Sequence, residues 1–296
     1  MKEKWNLKIT TQGDSLPEDD EKRSVEFLHE HVLQRTQEHP FIEFEKTEEE
    51  VKIIQEMNDV YSSIFLKFGL EDQRISLSDV HVVDENSFKS VRGINIGGTT
   101  RGTQIYVPRI EGAPVAKHTL SHEMAHAFAF SRKSFLAQIE ITNKQKQYNY
   151  SDEQDKRTGY HFVADGINQF LGLNECVTEY IGSVVHEAIK HKINLVTTNL
   201  KELPIDITAY IPAYILLEFL VKRYSQKDND ENEIWDEIAR GYFTGDMRWV
   251  NKLKIVHPEI ARILRDMGKT DKAALHAAEE LDLKDAIEAM KFYFEV

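Results

Sequence analysis

Pro114-Val115-Ala116-Lys117-His118-Thr119-Leu120-Ser121-His122-Glu123-Met124-Ala125-His126-Ala127-Phe128 carries the strongest pattern in a chain of 296 residues. Pro114 sits where a first helical turn tolerates an imino acid, and the residues after it predict a helix to about Phe130. On that helix His122 and His126 are four residues apart and share a face, so their imidazoles can converge on one metal ion. Glu123 falls at the edge of the same face. There it can reach a water on the metal without being a ligand. Leu120, Met124 and Ala127 are apolar or small, as a helix in a domain interior requires. A buried imidazole left unpartnered costs about 1–3 kcal/mol, and coordination is one efficient remedy. Zinc accepts nitrogen and oxygen ligands of this kind and keeps a fourth position open in catalytic sites.

Ahead of this helix the chain reads as β-prone. Val80 to Val83, Val91 to Ile96 and Thr103 to Val107 are short runs punctuated by Gly97-Gly98 and Gly102, which predicts a hairpin or small meander. By its position, Thr103 to Val107 is a candidate edge strand for pairing with an extended peptide. Further upstream, Thr47 with Glu50 three residues later is a capping-box signature. Behind it Val51, Ile54, Met57, Tyr61, Ile64 and Phe65 form a helical stripe with Gly69 as its stop. Val25, Leu28, Val32 and Leu33 predict another amphipathic helix between Pro17 and Gln37, and the first fifteen residues read as loose. Residues 131–165, rich in Lys, Gln and Asp, read as a polar insertion or long surface connection. After Gly166 the pattern is helical, over roughly 168–192, 210–226, 231–243, 257–267, 271–281 and 283–294. The expected class is α+β and mostly helical, with a small sheet before the histidine helix and a helical C-terminal half. The expected division is 1–74, 75–192 and 193–296.

Lys and Arg total 37 against 50 Asp and Glu, a formal charge of −13, which disfavours an electrostatic grip on nucleic acid or anionic lipid. No 18-residue apolar window and no secretory signal is evident, so a cytoplasmic, membrane-free protein is expected. A single cysteine, Cys176, rules out an intrachain disulfide framework and an all-cysteine zinc site. The acidic runs Glu18 to Glu21 and Glu48 to Glu50 read as solvated helix starts.

A third ligand is expected downstream. Leu173-Asn174-Glu175-Cys176-Val177-Thr178-Glu179-Tyr180 opens a helix whose apolar face is Val177, Ile181, Val184 and Ala188. Glu175 and Glu179 lie four apart, off that face. Two exposed carboxylates so placed repel mildly, but beside a cation and an imidazole N–H the pair becomes favourable. His122-Glu123-x-x-His126 followed by Asn174-Glu175-x-x-Thr178-Glu179 resembles the gluzincin branch of the zincin metallopeptidases, the group that contains thermolysin, over roughly residues 115–190. The resemblance implies a zincin-like core, Zn2+ held by His122, His126 and Glu175, Glu123 as general base, and Glu179 supporting the first histidine. It also implies a Tyr or His on a later helix as oxyanion donor. Tyr210 and Tyr214, flanking Pro212, are candidates, with Tyr242 a third. The family pattern is stretched here, since 48 residues separate His126 from Glu175.

The expected activity is zinc-dependent hydrolysis of a peptide or protein substrate. Two alternatives stand beside it: a regulatory or toxin-like protease dedicated to one protein partner, and a non-enzymatic helical binding protein with a degenerate motif. His118 reads as a polar contact near the site mouth, because ligands at i, i+4 and i+8 span about 12 Å. Cys176 reads as a small core thiol; a His-His-Cys site would resemble peptide deformylases, whose cysteine motif precedes the histidine helix instead of coming after it. His186 and His191 are expected to face solvent.

Overall fold

The computed structural model describes residues 7–12, 41–93, 96–101, 104–110, 113–142, 145–164, 167–227 and 230–294. The helix expected between Pro17 and Gln37 and the acidic run from Glu18 lie outside them. The N-terminal part contains strands β1 (Leu7–Gln12) and β2 (Glu43–Phe44), helix α1 (Glu48–Lys67), strand β3 (Val80–Asp84) and helix α2 (Glu85–Arg92). Strands β4 (Thr99–Arg101) and β5 (Gln104–Arg109) lead into α3 (Lys117–Phe128). Next come four strands, β6 (Ser131–Thr142), β7 (Gln145–Thr158), β8 (His161–Ala164) and β9 (Ile167–Gln169). The remainder is helical: α4 (Leu171–His191), α5 (Ile211–Ser225), α6 (Glu231–Thr244), α7 (Arg248–Leu253), α8 (Ile260–Asp266), α9 (Asp271–Glu280) and α10 (Lys284–Phe294).

The first sheet runs β2-β3-β5-β4, with β3 and β5 parallel and the outer pairs antiparallel. Val80, Val82, Ile105 and Val107 bury one of its faces against α1 and α3, while Val83 and Tyr106 on the other face pack with Phe41 and Phe88. β5 does form an antiparallel hairpin, but its partner is β4 at Thr99–Arg101 and not the expected run Val91 to Ile96. Two expectations are corrected. Thr103 to Val107 does not form an edge: β5 is hydrogen-bonded on both sides, and β4 is the terminal strand. Val91 closes α2 instead of opening a strand, because Asp84 caps that helix by accepting a hydrogen bond from the Ser87 N–H at 2.7 Å.

Residues 131–158 are not a loop. β6 and β7 form a long antiparallel hairpin, β8 and β9 extend it, and β1 adds in parallel along β6. The stretch at 7–12 is therefore a strand too. Its hydrogen-bond partner lies some 120 residues away, where local sequence gives no sign of it.

The capping box at Thr47 and Glu50 starts α1 as expected. Glu50 is nonetheless fully buried instead of solvated, paired with Arg109 of β5, whose Nε donates to it at 2.9 Å. Burial acts to raise the Glu50 pKa, but Arg109 and the Thr47 N–H and hydroxyl outweigh it and hold the carboxyl below its ordinary value. One contiguous apolar core runs from Ile53 to Met290 and draws on residues before 75, between 75 and 192, and after 193. Among the described residues no helix is long and apolar enough to cross a membrane.

Candidate metal centre

Helices α3 and α4 lie against each other, and a glycine governs how closely. A Cβ added at Gly182 would meet Cα and N of His122 at 3.0 Å each. The buried Tyr61 hydroxyl of α1 donates to the Ser121 carbonyl of α3 at 2.7 Å. The histidine helix is thus held by both α1 and α4.

The packing of α3 on α4 brings the three expected ligands together. Among the described residues, His122, His126 and Glu175 form the one group of His, Cys, Asp or Glu side chains able to hold a metal ion, with a ligand atom from each within 4.8 Å of the others. Glu175 Oε2 lies 3.5 Å from His126 Nε2 and 3.9 Å from His122 Nε2. Tetrahedral ligands about 2.0–2.1 Å from an ion sit roughly 3.4 Å apart, so little closure is needed. Charge is arranged to match. Burial acts to raise the Glu175 pKa, yet His126, His122 and a hydrogen bond from Tyr210 hold it at about 2. The donor set of two imidazoles and one carboxylate therefore fits a divalent cation.

Each imidazole is backed from behind, which leaves both Nε2 atoms for the ion. His122 Nδ1 donates to Glu179 Oε2 at 2.9 Å. The other Glu179 oxygen accepts from the backbone N–H groups of Thr208 and Ala209 at 3.0 Å each and lies 3.2 Å from His118 Nε2. Burial acts to raise the Glu179 pKa, but the hydrogen bonds from His118 and His122 pull it far below the ordinary carboxylate range. His118 is accordingly a polar contact, held by Glu179, Ser183 and Thr208. Behind His126, the Thr178 Oγ1 and Tyr242 Oη each lie 3.4 Å from Nδ1.

Glu123 is buried beside the two histidines, and the Thr100 hydroxyl donates to its Oε2 at 2.7 Å. Gly98 makes the room: a Cβ there would come within 2.7 Å of Glu123 Cγ.

The three tyrosines separate. Tyr210 reaches the centre, with its ring stacked 6.2 Å from that of His122 and its hydroxyl on Glu175. Burial and the Glu175 carboxylate push its pKa up, so it remains a proton-bearing donor at neutral pH. Tyr214, one turn on, packs instead against Tyr180 and Trp235, with its hydroxyl 3.3 Å from Lys201 Nζ. Tyr242 is fully buried behind His126 and does not face the open side of the centre. Cys176 is buried, and burial pushes its thiol pKa up, as suits a core residue.

Sequence reasoning passes over Thr100, Gly182 and the N–H groups of Thr208 and Ala209. Gly182 does leave a signal, since a glycine inside a strongly helical stretch costs roughly 1 kcal/mol and so implies close packing. Thr100 and the Thr208 segment leave none. No protein-family model, no curated protein and no solved structure matches the chain.

Proposed function

We propose that the chain is a zinc-dependent metallopeptidase with a zincin-like core, in which His122, His126 and Glu175 hold the ion and Glu123 is the general base. The convergence of both Nε2 atoms on Glu175 Oε2, beside a buried Glu123, carries this reading. When bound, zinc supplies Lewis acidity, polarising an oxygen and making water acidic enough to act as a nucleophile near neutral pH. Glu123, held by Thr100, takes the proton of the attacking water and returns it to the departing amine. Tyr210, a neutral donor beside Glu175, hydrogen-bonds the negative charge that develops on the substrate oxygen. The terminal strand β4 offers its outer edge to an extended peptide, and Thr100 links that edge to the base.

Metal analysis and a peptide-library digest of the wild type and Glu123→Gln test the assignment. The variant is expected to retain one zinc and lose most turnover. Normal turnover by Glu123→Gln would remove Glu123 from the role. A chain without stoichiometric zinc would remove the whole reading.

A further inference from the structure

The two imidazoles are backed by different chemistry. A carboxylate stands behind His122, whereas only hydroxyls stand behind His126. The hydroxyl protons can be assigned in turn. Thr178 Oγ1 donates to the Asn174 carbonyl one turn earlier on α4, at 2.8 Å. With that proton committed, the 2.6 Å contact between Thr178 Oγ1 and Tyr242 Oη must be a donation from the tyrosine. Neither hydroxyl then has a proton left for His126 Nδ1. Nδ1 must itself carry the hydrogen, shared between the two oxygens at 3.4 Å each. With Nδ1 bearing its hydrogen, the other ring nitrogen, Nε2, is the one that would offer its lone pair to a bound metal ion on the side of Glu175.

We propose that Tyr242, acting with Thr178, is a positioning residue that fixes the tautomer and ring orientation of His126 and thereby sets the affinity of the centre for its metal. This rests on the reading of His122, His126 and Glu175 as the metal centre. Tyr242 itself is anchored from several sides. Its carbonyl accepts from the Phe130 N–H at 3.1 Å, just past the end of α3. Its ring packs edge-on to Tyr160 at 5.9 Å. Gly159, in the left-handed region at φ 56°, has no side chain where a Cβ would lie 2.6 Å from the Tyr242 ring. Helix α6, from the helical C-terminal half, thus reaches into the metal centre through one hydroxyl.

Groups behind a ligating histidine are typically worth 10–100-fold in metal affinity. At 3.4 Å and shared between two acceptors, this one belongs at the lower end, at about tenfold. The test is zinc affinity of the full chain by competition with a chromophoric chelator, with thermal unfolding of the metal-free protein alongside. Tyr242→Phe is expected to weaken zinc binding by about tenfold. The control is Tyr160→Phe, a neighbouring buried tyrosine whose hydroxyl bonds the Ile238 carbonyl and Trp249 Nε1 and touches no ligand. It is expected to lower the unfolding temperature and leave zinc affinity unchanged. Thr178→Val should weaken zinc and Thr178→Ser restore it; this pair decides the matter if Tyr242→Phe does not fold. Zinc affinity within about twofold of wild type in Tyr242→Phe, or in Thr178→Val where that pair decides, would overturn the proposal. So would an equal loss of zinc affinity in Tyr242→Phe and Tyr160→Phe. A wild-type chain that binds no zinc would overturn the metal-centre reading and this inference with it, an outcome distinct from a zinc-binding wild type with an indifferent Tyr242→Phe.

Discussion

Replacing Gly182 by alanine puts a methyl carbon 3.0 Å from both Cα and N of His122 and 3.4 Å from the carbonyl carbon of Ser121. Relaxed contacts between carbon atoms lie at about 3.5–4.0 Å, so α3 and α4 must part by roughly 0.5 Å. Two effects on stability oppose each other. Alanine inside a helix is favoured over glycine by about 1 kcal/mol, while overpacking against backbone that cannot rotate away costs about 1–3 kcal/mol. The metal-free protein is therefore expected to lose only about 0–2 kcal/mol. The metal centre is less forgiving, because coordination distances tolerate errors of only about 0.2 Å. His122 and Glu175 sit on the two helices being forced apart, and their ligand atoms are already 3.9 Å from each other. Zinc affinity is expected to fall by about tenfold or more, out of proportion to the stability change. Chelator competition and urea unfolding of the metal-free chain measure the two quantities separately. A Gly182→Ala protein stabilised by about 1 kcal/mol with its zinc affinity intact would refute the reasoning, since it would show only the helix-propensity term at work.

Glu179→Ala removes the acceptor of His122 Nδ1 together with the anchor of the Thr208 and Ala209 N–H groups, and is expected to weaken zinc binding by about 10–100-fold in the same competition assay. Gly98→Ala crowds the flexible Glu123 side chain and no backbone, so unfolding should shift by less than about 1 kcal/mol while peptide turnover falls by an order of magnitude or more with zinc retained. Glu50→Ala strands Arg109 and should cost roughly 3 kcal/mol in urea unfolding at neutral pH, the low end for a broken buried pair because Arg109 keeps some contact with water. The folded-state pKa of Glu50 lies below its ordinary value of 4.5, so the unfolded chain binds more protons in acid. Its contribution is present in full above that value and is lost as the pH falls through the folded pKa, and the variant's stability should vary less with pH over that range.

How far the sequence announces this molecule depends on whether the partner of each group is local. The capping box at Thr47, the paired histidines and the Glu175/Glu179 pair depend on helical spacing, and each falls where that spacing puts it. The hairpin of β6 and β7 depends on backbone pairing, and its polar composition masks it, although Ala137, Ile139 and Ile141 do alternate in the sequence with Gln138 and Glu140. β1 finds its partner in β6, and no residue near it hints at this. Glu50 misleads for the same reason: its neighbours in sequence are acidic and exposed, while its partner Arg109 lies 59 residues on. Of the three tyrosines only Tyr210 reaches the open side of the centre, and what puts it there is the chain just before it. The N–H groups of Thr208 and Ala209 are tied to Glu179, and Tyr210 itself takes a left-handed conformation, φ 54°, at the start of α5. Helical periodicity alone treats Tyr210 and Tyr214 as equivalents.

That arrangement gives Glu179 a reach beyond His122. One oxygen fixes a metal ligand, and the other fixes the segment that delivers Tyr210 over the same ligand. Displacing either element releases hydrogen bonds that the other needs, so the ligand and the proposed oxyanion donor cannot move independently. Helices before and after this central region enter in the same manner, Tyr61 of α1 through the Ser121 carbonyl and Tyr242 of α6 through His126. Neither helix can therefore be treated only as a surface for recognising partners. Both hold α3, and removing either would first be felt as a loosened metal centre.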